Sequence, residues 1–105
     1  MATYGYEWNA TLVESDDGAS FIQLSFATAE NTVARGFNLS VYPVGNRTDA
    51  ARLFFNEYGL VNNLTATVPL TDEQATQNWV VVWNARLDDG PQRGEVVVGP
   101  DRANL

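Results

Sequence analysis

The chain contains no cysteine, no histidine and no lysine. Without Cys there is no disulfide, no thiolate nucleophile and no Cys-based zinc site. Without His the commonest general base and metal ligand is gone. Without Lys, arginine carries all the positive charge: six Arg stand against thirteen Asp and Glu, a formal net charge of −7. An acidic surface repels phosphates and anionic headgroups, so neither nucleic acid nor a membrane is expected as a partner. The missing Lys has two readings, a GC-rich genome that encodes Arg in its place or adaptation to high salt. Long apolar runs are absent as well; none approaches the roughly 20 residues that span a bilayer. The start of the chain, Met1-Ala-Thr-Tyr-Gly-Tyr-Glu-Trp8, has neither a basic segment nor an apolar core, so no cleavable signal peptide is expected.

What remains is an ordinary globular composition, 105 residues with 45% apolar and 18% charged, and a single domain over 1–105 is expected. The most informative stretch is Trp79-Val-Val-Val-Trp-Asn-Ala-Arg-Leu-Asp-Asp-Gly90, followed by a returning run to Val98. Trp79, Val81, Trp83 and Ala85 share one side of a period-two run, and Asp-Asp-Gly is a tight turn, which together predict a β-hairpin. Upstream, Tyr4, Tyr6, Trp8, Ala10 and Leu12 alternate as a first strand, and Asp16-Asp17-Gly18 follows as a turn. Ile22, Leu24 and Phe26 mark a second strand, residues 28–36 a polar loop, and Phe37, Leu39 and Val41 a third strand ending near Pro43. Leu64, Ala66, Val68 and Leu70 give a later strand. Residues 49–59, Asp-Ala-Ala-Arg-Leu-Phe-Phe-Asn-Glu-Tyr-Gly, read either as an edge strand or, with a slight preference, as a short helix. In the helix, Asp49 is the cap, Phe54, Phe55 and Tyr58 share a face, and Gly59 is the stop.

About seven short strands with frequent turns predict an all-β, two-sheet sandwich, with one short helix in its middle connection. The runs Ile22-x-Leu24-x-Phe26, Phe37-x-Leu39-x-Val41, Leu64-x-Ala66-x-Val68-x-Leu70 and Trp79-x-Val81-x-Trp83-x-Ala85 resemble strands B, C, E and F of a fibronectin type III or related immunoglobulin-like domain. The chain departs from that family in three places. Phe26 stands where strand B usually carries Trp, the gap from Leu70 to Trp79 is long, and so is the insert at 45–62. The resemblance implies that strands F and G are neighbours, that the A–B and F–G turns lie at opposite ends, and that loops 28–36 and 88–93 lie at one end.

No catalytic constellation accompanies this pattern. Glu7, Glu14, Glu30, Glu57, Glu73 and Glu95 fall in polar phases and loops, where no apolar setting prepares a carboxyl for acid–base work. Ser15, Ser20, Ser25 and Ser40 have no His to activate them. The two Asp-Asp-Gly turns offer too few ligands each for a metal and are read as turns, so no cofactor or metal is expected. Four Asn-x-Ser/Thr triplets, at Asn9, Asn38, Asn46 and Asn63, are either chance matches or glycosylation acceptors, with Asn46 first among them. The stripe of Tyr4, Tyr6 and Trp8 reads as core, with a sugar-stacking platform as the other reading.

The candidate interface residues are apolar ones in the outward phase: Val80, Val82, Val97 and Phe21. Val80, Val82 and Val97 form one patch if Val96 and Val98 face inward; otherwise they are strand valines kept for propensity. The expected function is that of a non-enzymatic virion accessory protein, a capsid-decoration or tail component. Its partners would be a capsid or tail protein, or further copies of itself. The resemblance to such phage and archaeal-virus proteins is one of architecture and size. The alternative is a surface module for carbohydrate or protein.

Overall fold

In this computed structural model, which describes residues 5–100, the period-two runs become strands whose buried positions alternate. They are β1 (Tyr6–Glu14), β2 (Ser20–Thr28), β3 (Ala34–Pro43), β4 (Phe54–Val61), β5 (Asn63–Leu70), β6 (Trp79–Leu87) and β7 (Gly90–Val98). All pairings are antiparallel. A small sheet of three strands has the order β1-β2-β5, and a large sheet of four has the order β4-β3-β6-β7. The expected two-sheet β-sandwich is therefore observed. Tyr4 lies outside the described residues.

The inner faces supply the core. Ile22, Leu24 and Phe26 from β2 meet Phe37, Leu39 and Val41 from β3 and Trp79, Val81 and Trp83 from β6. Trp83 is fully buried and gathers the other rings around it. Phe37 stacks on it at 5.6 Å, while Phe26, Tyr6 and Trp8 meet it edge-on at 4.8, 5.2 and 5.9 Å. Such geometries suit the ring quadrupole and add to the area term. Tyr6 and Trp8 are thus half-buried parts of the core, as their phase predicts. Gly94, the β7 residue opposite Trp83, makes room for this cluster. A Cβ there would lie 2.0 Å from Trp83 Nε1 and 2.7 Å from Trp8 Cζ2.

One element takes the second of its two readings, the edge strand. Residues 54–61 are strand, not helix: β4 pairs with β3, Phe54 opposite Val41 and Phe55 opposite Ser40. Pairing satisfies backbone groups on the open side of β3 that a helix would have left bare. As a strand, β4 also sends Phe54 and Tyr58 to the core and Phe55 to the outside. The one helical turn among the described residues, a 3₁₀ turn at Gln74–Thr76, fills the long gap before β6 instead. Thr71 N–H donates to Gln74 Oε1 and Gln74 N–H to Thr71 Oγ1, a reciprocal pair of capping-box form. Trp79 Nε1 donates to Gln74 O at 2.9 Å and ties the turn to the core.

Candidate interaction surface

The outward phase of the large sheet is organised in rows across the strands. One row is Tyr42, Val80 and Val97; the next is Phe55, Ser40, Val82 and Glu95. The expected adjacency of Val80 and Val97 is present, with Val96 and Val98 in the inward phase. The expected exposure is not: Val80 and Val82 are only 3% and 5% accessible. Their strand is internal to the sheet, so each has neighbours on both sides. Glu95, beside Val82, also draws Arg47 in from the β3–β4 connection. The methylene stem of an arginine covers apolar surface while its head stays wet. Val97 is half-buried. Phe21 does not belong to this surface at all. It is half-buried on the outer face of the small sheet, between Val13 and Pro69.

What the large sheet does present is the Arg47–Glu95 pair and, beyond it, Phe55. Arg47 Nη1 donates to Glu95 Oε1 at 3.0 Å and its Nη2 to Oε2, a fork-on-carboxylate contact, and Arg93 Nη2 adds 3.1 Å to Oε1. The Arg47 hydrogen bond holds the Glu95 carboxyl below its usual range, and the Arg47 guanidinium is raised in turn. The connection that carries Arg47 is stapled by Asn46, whose Oδ1 accepts from Thr48 Oγ1 at 2.8 Å, and by Ala51 N–H donating to Thr48 Oγ1. Arg52, from the same connection, lies with its guanidinium carbon 4.3 Å from the Phe55 ring centroid. The large apolar side chains left exposed are Val44, Phe55 at 42% and Leu60 at 66%, all on β4 or the connection before it.

A second feature sits at one end of the sandwich. Residues 28–33, Asn62 and Asn63 enclose an open hollow of about 620 Å³, and Thr32, Leu87, Asp88 and Asp89 border a smaller one of about 210 Å³. The 28–36 and 88–93 loops therefore meet, as expected. Thr28 Oγ1 donates to Thr32 O at 2.6 Å, and Asn31 takes a positive φ of 66° to close the loop. The turn at Asp16-Asp17-Gly18 is at the opposite end. There Asp17 Oδ1 accepts from Ser15 Oγ and from Ala19 N–H, which lowers its pKa, the Ser15 bond contributing most.

Every described Asp and Glu is exposed. No group of three metal-ligating side chains occurs among the described residues, and no helix there is long and apolar enough to cross a membrane. The Asn-x-Ser/Thr triplets separate by setting. Asn9, Asn46 and Asn63 are exposed, whereas Asn38 accepts a bond from Asn84 and its Ser40 is buried. Sequence reasoning did not single out Phe55 and Arg52 as surface residues because it preferred a helix over an edge strand there. The adjacent Phe54-Phe55 pair was the available signal, since neighbouring residues on a strand face opposite ways.

Compared with known proteins, the chain matches no family model and no curated sequence.

Proposed function

We propose that the chain is a non-enzymatic structural module that docks on a larger assembly, as an accessory protein of a virion, either capsid decoration or tail. The observation that carries this reading is the exposed Phe55 ring with the Arg52 guanidinium over it, on the same outer face of the large sheet as the Arg47–Glu95 pair. Aromatic and arginine side chains dominate the energetics of protein interfaces, and here they are fixed on a strand and a stapled loop. The fibronectin type III resemblance belongs to the same proposal. Three of its implications support it: β6 and β7 are neighbours, the two Asp-Asp-Gly turns lie at opposite ends, and the 28–36 and 88–93 loops lie together.

Density-gradient fractionation of the source culture, with this chain located by mass spectrometry, tests the reading. Co-sedimentation with particles is expected. Phe55→Ser should leave folding intact yet weaken incorporation by about 30-fold, the effect of losing a roughly 2 kcal/mol anchor. Recovery only as free chain would sink the proposal.

The 620 Å³ hollow favours a second reading, a surface module for carbohydrate or protein. Its lining is rich in hydroxyl and carboxamide groups, Thr28, Asn31, Thr32, Asn62 and Asn63 among them, which match sugar hydroxyls. Glycan screening decides it: selective binding would bring this reading forward, and no binding would remove its sugar form.

A further inference from the structure

The sandwich has four edge strands, and they are not defended alike. β1 carries Glu7 and Glu14 and packs beside β7. β4 carries Glu57, and its ladder with β3 is broken by register shifts around Phe37. β7 carries Pro91, Arg93 and Glu95. These are the devices that keep edges from pairing: charge, proline and bulges. β5 reads Asn63-Leu-Thr-Ala-Thr-Val-Pro-Leu and has no charge at all. Its neighbour β2 has none either, in a chain of net charge −7.

The single device on β5 is Pro69, near its far end. A proline costs a sheet no ladder bond when its nitrogen faces away from the neighbouring strand. By alternation, Thr67, Thr65 and Asn63 then turn their N–H and C=O groups away from β2 as well. No backbone hydrogen bond from a loop reaches residues 63–70 among the described residues. The open stretch is therefore Asn63 to Val68, with Thr65 and Thr67 exposed and Ala66 and Val68 facing the core.

We propose that β5 pairs antiparallel with β5 of a second copy, joining two small sheets into one continuous sheet. The occupant follows from charge and symmetry. Of the four edges, β1, β4 and β7 each set carboxylates against an identical, strongly acidic copy, and β5 alone offers it an uncharged strand. A two-fold axis at Ala66 sets Thr65 against Thr67 of the partner, a favourable cross-strand pair. It also sets the half-buried Leu64 against the partner's Val68 on the inner face. This inference is independent of particle docking, which uses the large sheet.

Sedimentation equilibrium of the purified full chain, from micromolar to millimolar, is the test. The wild type is expected to reach twice the 11.5 kDa chain mass, and to do so at lower concentration as salt screens the repulsion between copies. Thr65→Lys with Thr67→Lys, both at exposed positions, should remain monomeric with an unchanged circular dichroism spectrum. Phe55→Ser should dimerise like the wild type. A wild type that stays monomeric throughout, a Lys variant that still dimerises, or a dimer lost in Phe55→Ser would each overturn the proposal. Because particle incorporation is read separately, either proposal can fail without the other.

Discussion

Gly94 and Trp83 are the two residues on which the core is most exacting. Gly94 needs no unusual φ; it is glycine because the indole of Trp83 and the ring of Trp8 occupy the space a side chain would take. Gly94→Ala should therefore destabilise through overpacking by about 1–3 kcal/mol or more, read as a lower urea midpoint with an unchanged slope. Trp83→Ala removes the ring around which four others are arranged and should cost about 3–5 kcal/mol. Trp83 was legible in the sequence, since its phase places it inward with Trp79 and Val81. The role of Gly94 was not, because period-two reading assigns a face to a residue but cannot say that the facing side chain fills its place. Val80 and Val82 show the same limit from the other side. Their outward phase was right, but accessibility also depends on the strands that flank β6 on both sides. Glu95, which receives Arg47, gives the surface a pH dependence. Its folded-state pKa is lowered, so the stabilisation is complete above the ordinary glutamate value and disappears as the pH falls through the lower, folded value. Glu95→Gln should accordingly lower the urea midpoint slightly at neutral pH, with the gap to wild type closing in acid. The pair is solvent-exposed, so the effect is small.

At the scale of elements, β4 shows how tertiary context overrides local signal. Asp49, the spacing of Phe54, Phe55 and Tyr58, and Gly59 satisfy the rules for a short helix, while the same residues alternate well enough for a strand. The deciding term is absent from the local sequence: β3 has an open side, and pairing with it satisfies backbone groups that the helix could not reach. Gly59 is then not a helix stop but a strand residue at φ 75°, next to the register shift. Gly59→Ala should cost about 1 kcal/mol from backbone strain alone, since a Cβ there would meet nothing within 4 Å. A thermal melt of that variant beside Gly94→Ala separates the two ways a glycine becomes necessary, by conformation and by space. The other strands needed no such arbitration. β1, β2, β3, β5 and β6 each have at least three apolar residues in alternation, and the β1–β2 and β6–β7 turns carry Asp-Gly. The 3₁₀ turn escaped notice because three residues leave no periodicity to read, although Thr71-x-x-Gln74 was there as a capping signature.

For the molecule as a whole, charge is unevenly placed. All the described arginines belong to the large sheet or to the β3–β4 connection that folds over it, and the small sheet has only Glu7 and Glu14 as charged residues. The large sheet can therefore offset its acids locally, while the loops at both ends carry the excess. That excess bears on the missing lysine. If the acidic surface is an adaptation to high salt, the sandwich should lose cooperativity when ions are removed, because the carboxylates then repel without hydrated cations between them. If the composition only records a GC-rich genome, the core should hold the fold at low salt. The structure favours the second outcome. Its stability rests on an apolar core with Trp83 at the centre, and the described ion pairs all lie at the surface, where each contributes about 0–1 kcal/mol. Lowering salt from about 0.15 M to about 0.01 M lengthens the Debye screening distance from about 8 to about 30 Å. The melting temperature should fall by a few degrees over that range while the transition stays single and cooperative. Adding salt well beyond about 0.15 M should then change it little, since charges are already screened at their typical spacing. Calorimetry across the series checks this. A chain that unfolds without molar salt would mean that the surface acids, and not the arginine codons, explain the absence of lysine.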